Sequence, residues 1–348
     1  MTKSAFHLPG LWLSAICVLA AGFGTAYAQA QKPFGIQQRW VIGGTGSWDY
    51  VKVDSASHRL YVAHQTKVEV IDLTSGKLIG SIGNLKRCHG IAILPDGKTG
   101  FITDGNANQV VVFDTEKLTT IETIPAGKKP DGIVYEASTN TVWVFNGNSK
   151  SVTVLDAVSR KPVATIALPG KPEFPQTDNE GTVFVNIDEP NSIVVLDART
   201  KTLTATWPLR GCKGPSGLAY DQDGKRLFSV CDGRKMAVTD ARTGKPLGLA
   251  QVGDGPDAAG YDARNDLAFA SNEDGTMTVI DAGKPEFPAI QTLATMKGAR
   301  TMGVDATTGT IYMVSAKLTS HIPPPTPEVT HPRPDPVPGT FTVLVIGR

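Results

Sequence analysis

The chain has 348 residues, with 34 Lys and Arg against 33 Asp and Glu, 36 Gly, 24 Pro and only 7% aromatics. Balanced charge excludes a global field that would draw it to nucleic acid or to a membrane surface. Abundant Gly and Pro imply many turns and short strands rather than helices.

In chain order, Lys3 is followed by the apolar run LWLSAICVLAAGFG and then by AYA at residues 26–28. A charged start, a hydrophobic middle and a small-x-small end have the form of a secretory signal peptide. The run is about 14 residues, short of the roughly 20 that a spanning helix needs. Ala15 and Ile16 do not supply the small pair that would make Cys17 a lipid anchor. The expectation is a signal peptide over 1–28, cleaved after Ala28, and one domain over 29–348. That domain would have no membrane span and would be periplasmic or secreted. Loss of Lys3 leaves 33 basic against 33 acidic residues. Export implies an oxidising compartment, where cysteines pair.

Next comes QQRWVIGG, a strand with no unit of its own. After it a repeat begins. The segments VEVID, VVVFD, VTVLD, IVVLD, MAVTD and MTVID end at Asp72, Asp114, Asp156, Asp197, Asp240 and Asp281, 41 to 43 residues apart. Two further strands precede each Asp and one follows it. Four short antiparallel strands at this period are the signature of a β-propeller blade. A seventh unit begins at TMGVDATTGTIYMVSAK, and its third strand, TFTVLVIG, is delayed by a Pro-rich insertion over 317–339. The expected fold is therefore all-β: a seven-bladed propeller with four antiparallel strands per blade. The N-terminal strand around Trp40 pairs with TFTVLVIG and closes the last blade, removing an exposed edge.

The VxVxD turn followed by (T/S)GK, the PxGxA approach to the inner strand and the LYV second strand resemble the YVTN-repeat propellers, the YncE-like exported proteins. The resemblance covers about residues 38–348 and is least informative over the insertion. It implies an exported β-propeller without an assigned reaction, with nucleic acid or other periplasmic partners among its possible ligands.

Binding residues belong on loops held by a rigid scaffold. In a propeller, the loops between blades and those between second and third strands share one face, the top of the central channel. The loops between blades bring Trp48, Asp49, Cys88, His89, Asp131, Glu173, Ser216, Asp257 and Thr301 toward the mouth. The second-strand ends bring His64, Asp104, Asn146, Asn186, Cys231 and Asn272. Lys128, Lys129, Lys171, Arg210, Lys213 and Arg300 add a basic ring, with Trp48, Tyr50 and Phe174 as stacking faces nearby. The expected ligand-binding set is His64, His89, Asp104, Lys128, Lys129, Asp131, Asn146, Lys171, Glu173, Lys213, Asp257 and Arg300. The repeated Asp residues are read instead as turn caps, because they recur around the outside of a ring and cannot converge. Cys212 and Cys231, in one blade and both at the top, are expected to form a disulfide, leaving Cys88 buried.

No HxH, HExxH or CxxC spacing occurs, so no metal and no cofactor is expected. His89, Asp131 and Glu173 in neighbouring blades are nonetheless a geometrically possible ligand set, with polar channel lining as the plainer reading. The leading functional reading is a binding or scaffold propeller acting through the channel mouth. A basic ring there would attract an anion, either a small molecule or single-stranded nucleic acid. The alternative is a metal-dependent, lactonase-like hydrolase with Glu173, Asn146, Asn186 and Asp131 as a carboxylate and amide ring. A quinone-dependent dehydrogenase fits less well, because such propellers have eight blades and repeated Trp motifs.

Overall fold

The structure, a computed structural model, describes residues 1–8, 10, 32–325 and 332–348. The apolar run of the expected signal peptide and its cleavage position fall on 11–31, outside the described residues. Met1–Lys32 and Pro33–Arg348 are separate units. In the first, the described residues carry no regular secondary structure.

Pro33–Arg348 consists of seven four-stranded antiparallel sheets. Six are consecutive in sequence. The first contains Val51–Asp54, Arg59–His64, Lys67–Asp72 and Leu78–Ile82. Among the described residues the only helical element is the short 3-10 turn Gly105–Ala107. The middle two strands of each blade are rich in Val, Ile and Phe and almost wholly buried, the innermost strands are partly buried, and the outer strands are largely exposed. That gradient is what a sheet buried on both faces by neighbouring blades requires. No described helix is long and apolar enough to cross a membrane.

The seventh blade joins both ends of the propeller. Its order is Gly35–Val41, Thr342–Gly347, Ile311–Ser315, Thr301–Val304. Trp40 pairs with Val343 and Val41 with Thr342. Phe34, just before the closing strand, packs edge-on against Phe269 of blade six at 5.4 Å. Its backbone exchanges two hydrogen bonds with the Gln291 amide, at 2.9 and 2.8 Å. The N-terminal strand thus completes one blade and is anchored to the preceding one.

The repeated Asp residues cap turns. Asp72 accepts from the Ser75 amide at 2.7 Å, Asp114 from Lys117 at 2.8 Å and Asp197 from Thr200 at 2.7 Å. Cys212 is bonded to Cys231, with Cα atoms 5.3 Å apart. The described base of the Pro-rich insertion is a narrow ribbon. Leu318 bridges Pro336, and Val337 donates to the Lys317 carbonyl at 2.7 Å. The Arg333 guanidinium reaches both Glu273 oxygens, at 2.7 and 3.2 Å, and ties the ribbon to blade six.

Candidate ligand site at the upper channel mouth

Each blade sends one side chain to the start of its inner strand: Asp49, His89, Asp131, Glu173, Ser216, Asp257 and Arg300. The following residue is Gly in blades two, three and five. A Cβ on Gly90 would lie 2.7 Å from the Asp131 carbonyl, and one on Gly132 would lie 2.8 Å from that of Glu173. Only a residue without a side chain lets neighbouring inner strands approach so closely. Hydroxyls add further links between neighbouring blades. Thr103 donates to the Asp131 carbonyl at 2.6 Å, and Ser216 to the Asp257 carboxylate at 2.8 Å. The mouth is held by the scaffold rather than by mobile loop tips.

Six of the seven positions are ionisable, and Lys171 joins them in a set of ion pairs. His89 Nδ1 lies 2.6 Å from Asp49 Oδ2 and 3.7 Å from Asp131 Oδ1. Lys171 pairs with Glu173, and Arg300 with Asp257. Arg300 also donates to the Trp48 carbonyl at 3.1 Å. One ligand atom from each of Asp49, His89 and Asp131 falls within a mutual distance of 4.8 Å. Burial opposes ionisation of Asp49, but its hydrogen bond to His89 and the charges of His89, Arg300 and Arg87 hold its carboxyl below the usual range. Burial also works against the His89 cation, yet Asp131 and Asp49 outweigh it and raise the imidazole. Burial, reinforced by Asp49, raises Asp131 despite His89. Glu173 is pushed up to about 7 by burial and by the charges of Asp131 and Asp257, against the pull of Lys171. Carboxylates crowded this closely disfavour one another's ionisation.

Below the circuit, Tyr50 of blade one and Phe174 of blade four stack at 4.3 Å. These blades are not adjacent, so the pair spans the channel axis and forms a floor. Burial, and then Asp131, Asp49, Glu173 and Asp257, raise the Tyr50 phenol well above its ordinary value.

The expected set divides. His89, Asp131, Glu173, Asp257, Arg300 and Lys171 converge, and Asp49 joins them. Lys128, Lys129 and Lys213 lie on the surrounding loops, with Lys128 and Lys213 exposed. His64, Asp104 and Asn146 do not reach the mouth; they are at most 1% exposed and already engaged. His64 stacks on Phe341 at 4.1 Å and faces Glu69 at 3.3 Å. Asp104 accepts from the Lys86 and Arg87 amides at 2.9 and 2.8 Å, which pins the loop carrying His89. Asn146 donates to Thr153 at 3.1 Å, and Asn186 to the Ser216 and Gly217 carbonyls at 3.0 and 3.1 Å. The amide half of a lactonase-like ring is therefore not assembled. Second-strand ends reach the top face, but there they are sandwiched between blades. Trp48 packs on Phe341 at 5.7 Å and offers no free stacking face. Cys88 is buried, with its thiol pushed up to about 12 mainly by burial.

No family model matches the chain, and no curated protein matches it. Solved structures do. The WD40 repeats of RRP9 superpose with a TM-score of 0.74 at 10% identity, covering 90% of this chain and 97% of that one. The U3-55K structure gives 0.73 at 10% identity, covering 90% and 98%. Kuenenia stuttgartiensis hydrazine synthase gives 0.69 at 14% identity, covering 78% and 92%. The likeness is one of fold. At these identities the propeller is shared and nothing about the ligand follows.

Proposed function

We propose that this chain is an exported, YVTN-type binding propeller that captures a divalent cation at the upper mouth of its channel. The observation that carries this reading is the convergence of Asp49, His89 and Asp131 from three successive blades within 4.8 Å. An imidazole and two carboxylates are a ligand set suited to zinc-like ions, and Glu173 stands beside them. Among the described residues Asp131 forms no lysine or arginine salt bridge; His89 is its ion-pair partner at 3.7 Å, and Lys171 and Lys129 act on it from further away. A proton shared between His89 and its carboxylates occupies the place a metal would take, so binding would release it. Two cations of the expected basic ring, the buried Arg300 and the exposed Lys171, are each paired with a carboxylate. An anion at the centre would have to displace those pairs, so the geometry favours a cation there. Export rests on the form of residues 1–28, and the binding role accords with the propeller scaffold.

Isothermal titration of the chain from Gln29 onward with Zn2+, Mn2+ and Ca2+ tests this. The expected result is one ion per chain, with affinity lowered at least about tenfold, roughly 1.4 kcal/mol, in Asp49→Asn and Asp131→Asn. Absence of uptake refutes the reading, as does equal uptake by both variants. Oligonucleotide or sugar-acid binding abolished by Lys128→Ala and Lys129→Ala, without metal uptake, would restore the anionic one.

A further inference from the structure

Beside the upper mouth, the base of the Pro-rich ribbon roofs a small hollow of about 50 Å³. Leu318, Pro334 and Pro336 line it from the ribbon, and Ser47, Trp48 and Gly298 line it from the propeller. Its walls are mostly apolar. A Cβ on Gly298 would lie 3.3 Å from Leu318 Cδ1, so the missing side chain is what lets the ribbon settle this close. Arg333 is the exposed member of the lining, and its bidentate pair with Glu273 marks the outer rim.

One polar group in these walls is unsatisfied. Trp48 is 6% exposed, and its indole N–H has no hydrogen-bond partner among the described residues. The indoles of Trp40 and Trp143 do donate, to Gln38 and Thr141 at 2.8 and 2.9 Å. A Cβ on Gly298 would lie 3.5 Å from Trp48 Cζ2, the ring carbon next to the one bonded to the indole nitrogen. The nitrogen-bearing edge is therefore turned toward Gly298 and the hollow. A buried donor left unpaired is costly, and an acceptor that reaches it recovers that cost. Both guanidinium groups of the lining already have carboxylate partners, Arg300 in Asp257 and Arg333 in Glu273. The hollow thus offers a free donor without a free cation, which selects a neutral acceptor over an anion. The Glu273 oxygens keep lone pairs beyond their bonds to Arg333 and supply an acceptor in the same lining.

We propose that this hollow binds the acetamido group of an N-acetylated sugar. The carbonyl oxygen accepts from the Trp48 indole N–H, the amide N–H donates to Glu273, and the methyl group packs on Leu318 and Pro336. At about 10–15 Å³ for each water-sized group, the space holds about four non-hydrogen atoms, as many as an acetamido group has. It is far below the roughly 300–1,000 Å³ of a pocket that encloses a whole ligand, so the sugar ring stays outside. There its hydroxyls meet the charged Glu273–Arg333 rim. The site uses none of Asp49, His89 and Asp131, and neither proposal depends on the other.

Proton–nitrogen NMR of the chain from Gln29 onward, read at the tryptophan side chains, tests this. Trp48→Phe keeps an aromatic ring and loses the N–H, which assigns the Trp48 signal. N-acetylglucosamine should move that signal downfield along a saturating curve, while Trp40 and Trp143, already hydrogen-bonded, stay in place. Glucosamine and glucose, which lack the acetyl group, should bind at least about tenfold more weakly, roughly 1.4 kcal/mol, and so should acetate. Leu318→Trp fills the hollow from the ribbon side and should abolish the response. Asp131→Asn should leave it unchanged. A Trp48 signal that does not move at millimolar sugar, because water alone fills the hollow, overturns the proposal. So does an equal response to glucose, and so does a response retained in Leu318→Trp. Tighter binding of N-acetyl-lysine amide than of the sugar would give the hollow to an acylated peptide and overturn the sugar assignment.

Discussion

Replacement of Phe34 by Ala tests the closure of the propeller without deleting any strand. Phe34 is 5% exposed and sits in the core cluster formed with Phe269, Met302, Leu344 and Ile346. Its ring meets Phe269 edge-on, and the Arg348 guanidinium lies 4.5 Å from its centroid. Truncating a buried Phe costs about 3–5 kcal/mol through lost transfer energy and the cavity left behind. The lower end applies here, because Phe34 lies at the start of the closing strand where the chain can relax. An unfolding entropy of about 2.1 cal/mol/K per residue gives roughly 0.7 kcal/mol/K for a propeller of this size. A loss of about 3 kcal/mol therefore lowers the melting temperature by about 4–5 °C. Ile79→Ala, on an outer strand at 47% exposure, serves as control and should stay within about 0.5 kcal/mol. Scanning calorimetry of both variants decides the matter. A Phe34→Ala protein melting within a degree of the parent would mean that the N-terminal segment does not clasp blades six and seven.

Three other outcomes follow from the same structure. Replacing Cys212 and Cys231 together by Ala, or reducing the parent, should cost about 3 kcal/mol for a loop of this length; unchanged denaturant midpoints with and without reductant would refute the link's contribution. Glu173 binds its proton more tightly folded than unfolded, because its carboxyl is raised from 4.5 to about 7. Its contribution to stability is therefore present below about pH 4.5 and is lost as pH rises through about 7. Metal-free melting curves at several pH values should fall more steeply over that window for the parent than for Glu173→Gln, and identical slopes would contradict the assignment. Cys88, with its thiol pushed up to about 12, should resist iodoacetamide in the native state and react after denaturation; rapid native labelling would show that it is not enclosed.

The architecture was legible because it repeats. The spacing from Asp72 to Asp281 marks the blades, and an unclaimed strand at Trp40 beside an edge at Phe341–Ile346 marks the closure. The expected site residues were legible in their place along the chain but not in the direction they face. Sequence places His64, Asp104 and Asn146 on the top face, yet each is enclosed between blades, and register along the chain does not report which side a neighbouring blade covers. Asp49 occupies the same step before the inner strand as His89, Asp131 and Glu173, and that shared offset was the available signal for adding it to the binding set. The counter-ions of the expected basic ring are legible only in part: Lys171 is two residues from Glu173, whereas the Arg300–Asp257 pair forms only when blades six and seven meet. The Tyr50–Phe174 floor depends on a contact across the channel, which no local pattern encodes.

The central claim is that Asp49, His89 and Asp131 bind one divalent ion. Crystals of the chain from Gln29 onward, grown with Zn2+ and measured on both sides of the zinc absorption edge, address it directly. The account predicts one anomalous peak at the upper mouth, about 2.0–2.2 Å from His89 Nδ1 and from a carboxylate oxygen each of Asp49 and Asp131. Zinc density confined to surface residues, with His89 Nδ1 still hydrogen-bonded to Asp49, would contradict it.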